Sequence, residues 1–132
     1  MGQPAAKKGD QITANDTHIV FVPSASGPAP EPLPHPFVGI INGALSSDVN
    51  IMGMPAATVD STADNTPVHL PTPPGTSFQA PPSNKATIKT GSPTVKINGK
   101  MAARNGDTAL TCNDPSDLPA GTVVAVGTVL IG

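Results

Sequence analysis

The chain has 132 residues, enough for one domain and short for two, so a single domain spanning 1–132 is expected to carry the function. Pro at 17 and Gly at 13 make up more than a fifth of it, which excludes long helices and coiled coils, because both residues interrupt helix interiors. With 7 basic against 9 acidic residues, no Trp or Tyr and 3 Phe, it lacks the basic patches and stacking aromatics of a nucleic-acid surface.

Taken from the N-terminus, Met1–Asp10 reads MGQPAAKKGD: two lysines with no apolar stretch behind them, hence no secretory signal peptide and an expectation of synthesis in the cytoplasm. Pro23–Pro36 and Pro67–Pro82 are rich in proline and would ordinarily be linkers in polyproline II. Each holds a histidine, so both are predicted to be ordered, extended loops pinned at a point. Between them Ile40–Leu45, IINGAL, supports at most a turn. Val95 and Ile97 alternate with Lys96, and Asn98-Gly99 supplies the two positive φ angles of a tight hairpin, so a return strand should begin near Lys100. Thr122–Gly132, TVVAVGTVLIG, is the strongest strand signal. Its β-branched residues occupy both faces, which asks for cover on both sides or for a partner. The most apolar part, Val123–Ile131, is far short of the roughly 20 residues of a membrane-crossing helix.

The chain also repeats itself. Val49–Thr58, VNIMGMPAAT, and Val95–Arg104, VKINGKMAAR, align without a gap at an offset of 46 and share V-x-I-x-G-x-x-A-A. A shorter third copy opens the chain, where Pro4-Ala5-Ala6-Lys7 precedes Gly9-Asp10 as Ala102-Ala103-Arg104 precedes Gly106-Asp107. The middle copy ends Thr58-Val59-Asp60. Asp10, Asp60 and Asp107 are therefore predicted to staple three related turns by accepting backbone N–H groups.

His18, His35, His69 and Cys112 exhaust the strong nitrogen and sulfur ligands, and three His with one Cys form a complete tetrahedral set for Zn²⁺. Their spacing is unlike that of a zinc finger. Three of them nevertheless follow a repeat, His18 eight residues after Asp10, His69 nine after Asp60 and Cys112 five after Asp107, so related loops would bring them to one axis. A loop-rich chain with few large apolar residues also gains from such a staple. Four protein ligands leave no seat for a water nucleophile, and no enzyme is expected. An open site would need a base, and Glu31, the one glutamate, stands outside any H-E-x-x-H spacing. Nothing places an orienting group beside Cys112 for nucleophilic chemistry, and Gly91–Thr94, GSPT, lacks the Lys-Ser/Thr of a phosphate loop.

These residues together resemble the PAAR-repeat family, the spike-tip proteins of contractile injection systems. The resemblance rests on Pro4–Asp10, on Pro55-Ala56-Ala57-Thr58, on Gly91–Asp107 and on Cys112 after it. Only Ala102-Ala103-Arg104 keeps the arginine, with Met101 in place of the proline, which with the long proline-rich loops points to a PAAR-like branch. The resemblance implies a mostly β fold of short strands and hairpins with extended proline-rich loops, forming a small cone of pseudo-threefold symmetry. Its base would sit on a homotrimeric VgrG-like spike, one copy per trimer, and its vertex would be sharpened by a zinc held by His18, His35, His69 and Cys112. A single chain with three related segments can offer each subunit of a trimer a similar edge. The apolar repeat and terminal residues, Val95, Ile97, Val124, Val126, Val129 and Ile131, are the expected spike-binding set. The tip would be assembled into an injection particle, meet the target membrane transiently and be delivered outside the cell. Effectors would be further partners.

Other readings stay open at this stage. An effector-carrying adaptor on the spike, a small zinc-dependent hydrolase and a phage tail-tip protein share parts of the same residue pattern. The chain has no room for a toxin domain beside the repeats, and four protein ligands at the metal would separate a spike tip from a hydrolase.

Overall fold

A computed structural model describes residues 2–132, and strand is the only regular secondary structure among them. In chain order the strands are β1 (Gln3–Pro4), β2 (Gln11–Val22), β3 (Ala29–Gly43), β4 (Asn50–Ile51), β5 (Met54–Pro55), β6 (Thr62–Asn65) and β7 (Ser77–Phe78). They continue as β8 (Lys85–Ile88), β9 (Lys96–Ile97), β10 (Lys100–Met101), β11 (Thr108–Thr111), β12 (Leu118–Val124) and β13 (Leu130–Ile131). Strands β12, β11, β8, β6, β3 and β2 are neighbours in that order, and β12 also pairs with β2, so the antiparallel sheet closes into a small barrel. Strand β7 adds to β2 beyond the barrel. Closure removes the exposed edges that a protein with so few large apolar residues could not otherwise cover.

The period of two along each strand decides what lies inside. Ile12, Asp16, His18 and Val20 of β2 are buried, as are His35, Phe37, Gly39 and Ile41 of β3. Ala63, Ala86 and Ala109 from the short strands face Phe37, Ile12, Ile41, Ile88 and Val123 in one cluster. A narrow barrel admits large residues only opposite small ones. Gly39 illustrates the fit, since a Cβ there would stand 2.6 Å from the Phe37 ring.

The first proline-rich segment departs from the loop expected of it. Residues 29–36 belong to β3, which pairs with all 12 residues of β2. Thr17 and Ile19 of β2 turn their N–H groups outward, to the side chains of Asn113 and Asp114, so the even-numbered residues of β2 bond β3. Their partners are Glu31, Leu33 and His35. Pro30, Pro32, Pro34 and Pro36 alternate with these and put their missing N–H on the other edge, where β6 has not yet begun to pair. Proline at every second position therefore costs the ladder nothing. Residues 40–43, expected to make only a turn, likewise complete β3 against β6.

Three short hairpins carry the repeat. Strands β4 and β5 pair around Met52 and Gly53, and β9 and β10 around Asn98 and Gly99, all four at positive φ as a tight two-residue turn demands. The third hairpin is β1 with β13, assembled from the two ends of the sequence. Beyond them the copies bond head to tail in a closed ring. Ala6 N–H donates to Ala103 O at 2.9 Å, Ala103 N–H to Ala57 O at 3.1 Å, and Ala57 N–H to Ala6 O at 3.0 Å. Ala5, Ala56 and Ala102 with Ile51, Ile97 and Ile131 form a second buried cluster at the hairpins. No side chain larger than Ala fits where three backbones meet this closely.

Two expectations are corrected by this ring. Asp60 does not staple its turn: it stands at φ 79° where Gly9 and Gly106 stand at 92° and 90°, and its carboxylate pairs outward with Lys100 and Lys89. Ser61 takes the stapling position. Its Oγ accepts from Thr58 N–H at 3.0 Å, as the Asp10 and Asp107 carboxylates accept from Lys7 and Arg104 N–H. The terminal run is also not one strand. Strand β12 ends at Val124 on the barrel, and the chain then leaves it to pair β13 with β1, which places Ile131 beside Ile51 and Ile97.

The ring also explains why the middle staple is uncharged. Lys7 and Arg104 pair with Asp10 and Asp107, whereas Thr58 offers no charge, and Ser61 Oγ donates to Ala44 O at 2.8 Å. Ser61→Asp should therefore destabilise the fold by about 2 kcal/mol, despite Asp being the residue of the other two copies, because it buries an unpaired charge and orphans Ala44 O. Urea denaturation checks this, and an unchanged midpoint would contradict it.

Candidate metal centre

Strand β2 leaves the ring at Gln11 and carries Asp16 and His18 toward the far end of the barrel, both inward because they are two residues apart on a strand. Register places His35 of β3 opposite Asp16. His69 follows β6, and Cys112 follows β11. Strands β2, β6 and β11, which run away from the ring, and β3, which returns toward it, thus bring all four residues expected as ligands to one end. His18, His35, His69 and Cys112 are all buried there.

Asp16, His18, His69 and Cys112 form the tight group: one donor atom from each lies within 4.8 Å of every other. Asp16 is fully buried. Its Oδ1 accepts from the Thr111 hydroxyl and, at 3.4 Å, from Asn113 Nδ2. Its Oδ2 lies 3.0 Å from His69 Nε2 and 3.5 Å from Cys112 Sγ. His35 packs its ring against the other two, with centroids 5.4 Å from His18 and 5.6 Å from His69. Its nitrogens bond the backbone: Nδ1 is 2.9 Å from Leu33 O, and Nε2 accepts from Thr72 N–H at 3.1 Å.

The protonation states suit ligation. Burial lowers the pKa of His18, against the opposing pull of Asp114, and burial likewise lowers that of His35, so both rings are neutral near pH 7. Burial and the nearby Asp16 push the Cys112 thiol up to about 11, although the Asn84 amide and Ser83 hydroxyl pull the other way. A cation at this point reverses that balance and favours the thiolate.

Whether a metal fits is decided by His18. Both of its ring nitrogens are buried without a hydrogen-bond partner, an expensive arrangement for a polar group. Nδ1 does lie 3.4 Å from Asp114 Oδ2, which itself accepts Ile19 N–H at 2.9 Å. A carboxylate beside one nitrogen, with the other free, is the usual setting of a metal-binding imidazole. The set of one thiolate, neutral imidazoles and a carboxylate suits a borderline divalent ion such as Zn²⁺.

The sequence profile of the PAAR motif matches residues 34–115, more than half of the chain. The chain belongs to the PAAR family. PAAR proteins are the spike tips of contractile injection and type VI systems, a structural family, and the all-β fold with a buried metal-capable cluster agrees with membership. The matched stretch holds His35, His69 and Cys112 and stops short of Asp16 and His18. It contains two of the three repeat copies in full, since the third is built from the chain's two ends. Among curated proteins none matches. No helix among the described residues is long and apolar enough to cross a membrane.

The residues proposed from sequence for spike contact separate by burial. Ile97 and Ile131 are buried in the hairpin cluster and Val95 packs against it, while Val124, Val126 and Val129 are exposed. Asp16 was not among the expected site residues. Its signal was the Asp-x-His spacing, which on any strand puts both side chains on one face.

Proposed function

We propose that this PAAR protein works as one domain that caps a homotrimeric, VgrG-like spike, one copy per trimer, and forms its metal-hardened point. The closed ring of Ala6, Ala57 and Ala103 carries this reading, because it repeats one backbone arrangement three times within a single chain. Each hairpin then offers one spike subunit an equivalent edge, in a cone of pseudo-threefold character. The contact face is the hairpin end. Val124, Val126 and Val129 are exposed there, joined by Val49, Met52 and Leu130, with Val95, Ile97 and Ile131 packed behind them. An apolar end of this kind needs a partner.

At the opposite end Zn²⁺ is held by His18, His69 and Cys112 with a fourth donor, either His35 or Asp16. Bound zinc supplies a crosslink between the β2, β6 and β11 ends of the barrel, and its role is structural. The protein residues set it up: Asp114 steadies His18, and the Pro34 carbonyl and His35 Nε2 tie down Thr72 of the long 67–82 segment. Glu31, the one residue considered as a base, is exposed and four residues along β3 from His35, about 13 Å at strand spacing. The protein therefore acts mechanically, meeting the target membrane as the spike is driven out, with effectors as further partners.

A charge placed on each end tests the polarity. Val126 is 70 % exposed, so Val126→Asp should fold normally, keep its zinc and lose spike binding at least tenfold in a pull-down titration. His69→Ala should lose zinc and still bind the spike. The reverse pattern would place the spike at the metal end and overturn the reading.

A further inference from the structure

Resting on the metal reading above, we infer that Asp16, and not His35, is the fourth metal ligand, so that the centre is Asp-His-His-Cys and His35 is a positioning residue in its wall. The donor separations carry this. A tetrahedral ion with bonds of about 2.0 Å to nitrogen and oxygen and about 2.3 Å to sulfur has O···N edges near 3.3 Å and O···S edges near 3.5 Å. Asp16 Oδ2 stands 3.0 Å from His69 Nε2 and 3.5 Å from Cys112 Sγ. One oxygen of one carboxylate thus already occupies a vertex against two other donors.

The two oxygens of Asp16 divide the work. Oδ1 is held by neutral donors, Thr111 Oγ1 and Asn113 Nδ2, and Asn113 is itself fixed by the Thr111 carbonyl at 3.2 Å. These bonds aim Oδ2 at the cluster. Among the described residues no Lys or Arg pairs with this fully buried carboxyl group. A fully buried carboxyl whose second oxygen faces only imidazole and thiol groups is placed to take a cation.

His35 is built differently. Both nitrogens are committed, Nδ1–H to Leu33 O and the Nε2 lone pair to Thr72 N–H. Ligation through Nε2 would orphan the Thr72 amide, and ligation through Nδ1 would orphan the Leu33 carbonyl. In its present place the ring links β3 to the 67–82 segment, which holds His69 in position.

The direct test is X-ray absorption at the zinc edge on the wild-type chain loaded with one equivalent of zinc. Multiple scattering should count two imidazoles with one sulfur and one further light atom. Three imidazoles would overturn the inference while leaving the metal reading intact, whereas a chain that binds no zinc removes both. Variants give a second reading. Asp16→Asn keeps an oxygen for Thr111 and should weaken zinc binding at least 100-fold. His35→Gln should retain one zinc and the two-imidazole count, with Co²⁺ absorption unchanged in shape. Loss of one imidazole in His35→Gln contradicts the assignment, even if Asp16→Asn fails to fold.

Discussion

Cys112→Ser is expected to release the metal and lower the melting temperature by about 10 °C or more. A metal held here would tie three segments together at one end of the barrel, and structural zinc commonly contributes many kcal/mol to a small fold. For a chain of this length about 3 kcal/mol corresponds to roughly 10 °C. The exchange of sulfur for oxygen is itself small, so wild-type protein stripped by a chelator should melt with the variant to within a few degrees. That comparison isolates the metal from the side chain. A variant that keeps its zinc and its melting temperature would remove Cys112 from the ligand set.

Ala57→Leu should be comparably damaging for a different reason. Ala57 is fully buried in the ring, donating to Ala6 O and accepting from Ala103 N–H at 3.0 and 3.1 Å. A Leu there must push three backbones apart, which costs about 3 kcal/mol and again about 10 °C. Zinc content should be unchanged, because the metal residues sit at the other end of the barrel. Lys96→Leu, on an exposed position of a hairpin, serves as the control and should melt like wild type. A tolerated Leu at 57 would mean that the ring is not the tightest point of the fold.

Much of this was legible in the sequence where local chemistry decides the outcome. Asn98-Gly99 specifies its turn because both residues accept positive φ, and V-x-I followed by Ala-Ala recurs because each hairpin fills the same layer. Other features depend on partners far along the chain. Val129 and Ile131 are the V-x-I of the third copy, but their turn partner is β1, so no linear alignment brings the halves together. Asp60 was read as an acid in register with Asp10 and Asp107, although hydrogen bonding assigns that place to Ser61. A one-residue shift of this kind is invisible without the ring.

The candidate centre was legible in the same uneven way. His18, His35, His69 and Cys112 were found by elimination, since so few strong ligands exist. Asp16 escaped because carboxylates are common and usually solvated, and only closure of the barrel shows that this one is fully buried with, among the described residues, no Lys or Arg paired to it. The proline-rich segment misled for a related reason. Proline argues against a central strand, yet Pro30, Pro32, Pro34 and Pro36 are harmless on an unpaired edge, and which edge is free depends on where β6 begins.

The central claim, that one chain with three internal copies caps one spike trimer, is tested most directly by native mass spectrometry of the protein mixed with the trimeric spike of its own injection system. The account predicts a complex of one tip, three spike subunits and one zinc, with no higher tip occupancy at tip excess. Three tips on one trimer would contradict it.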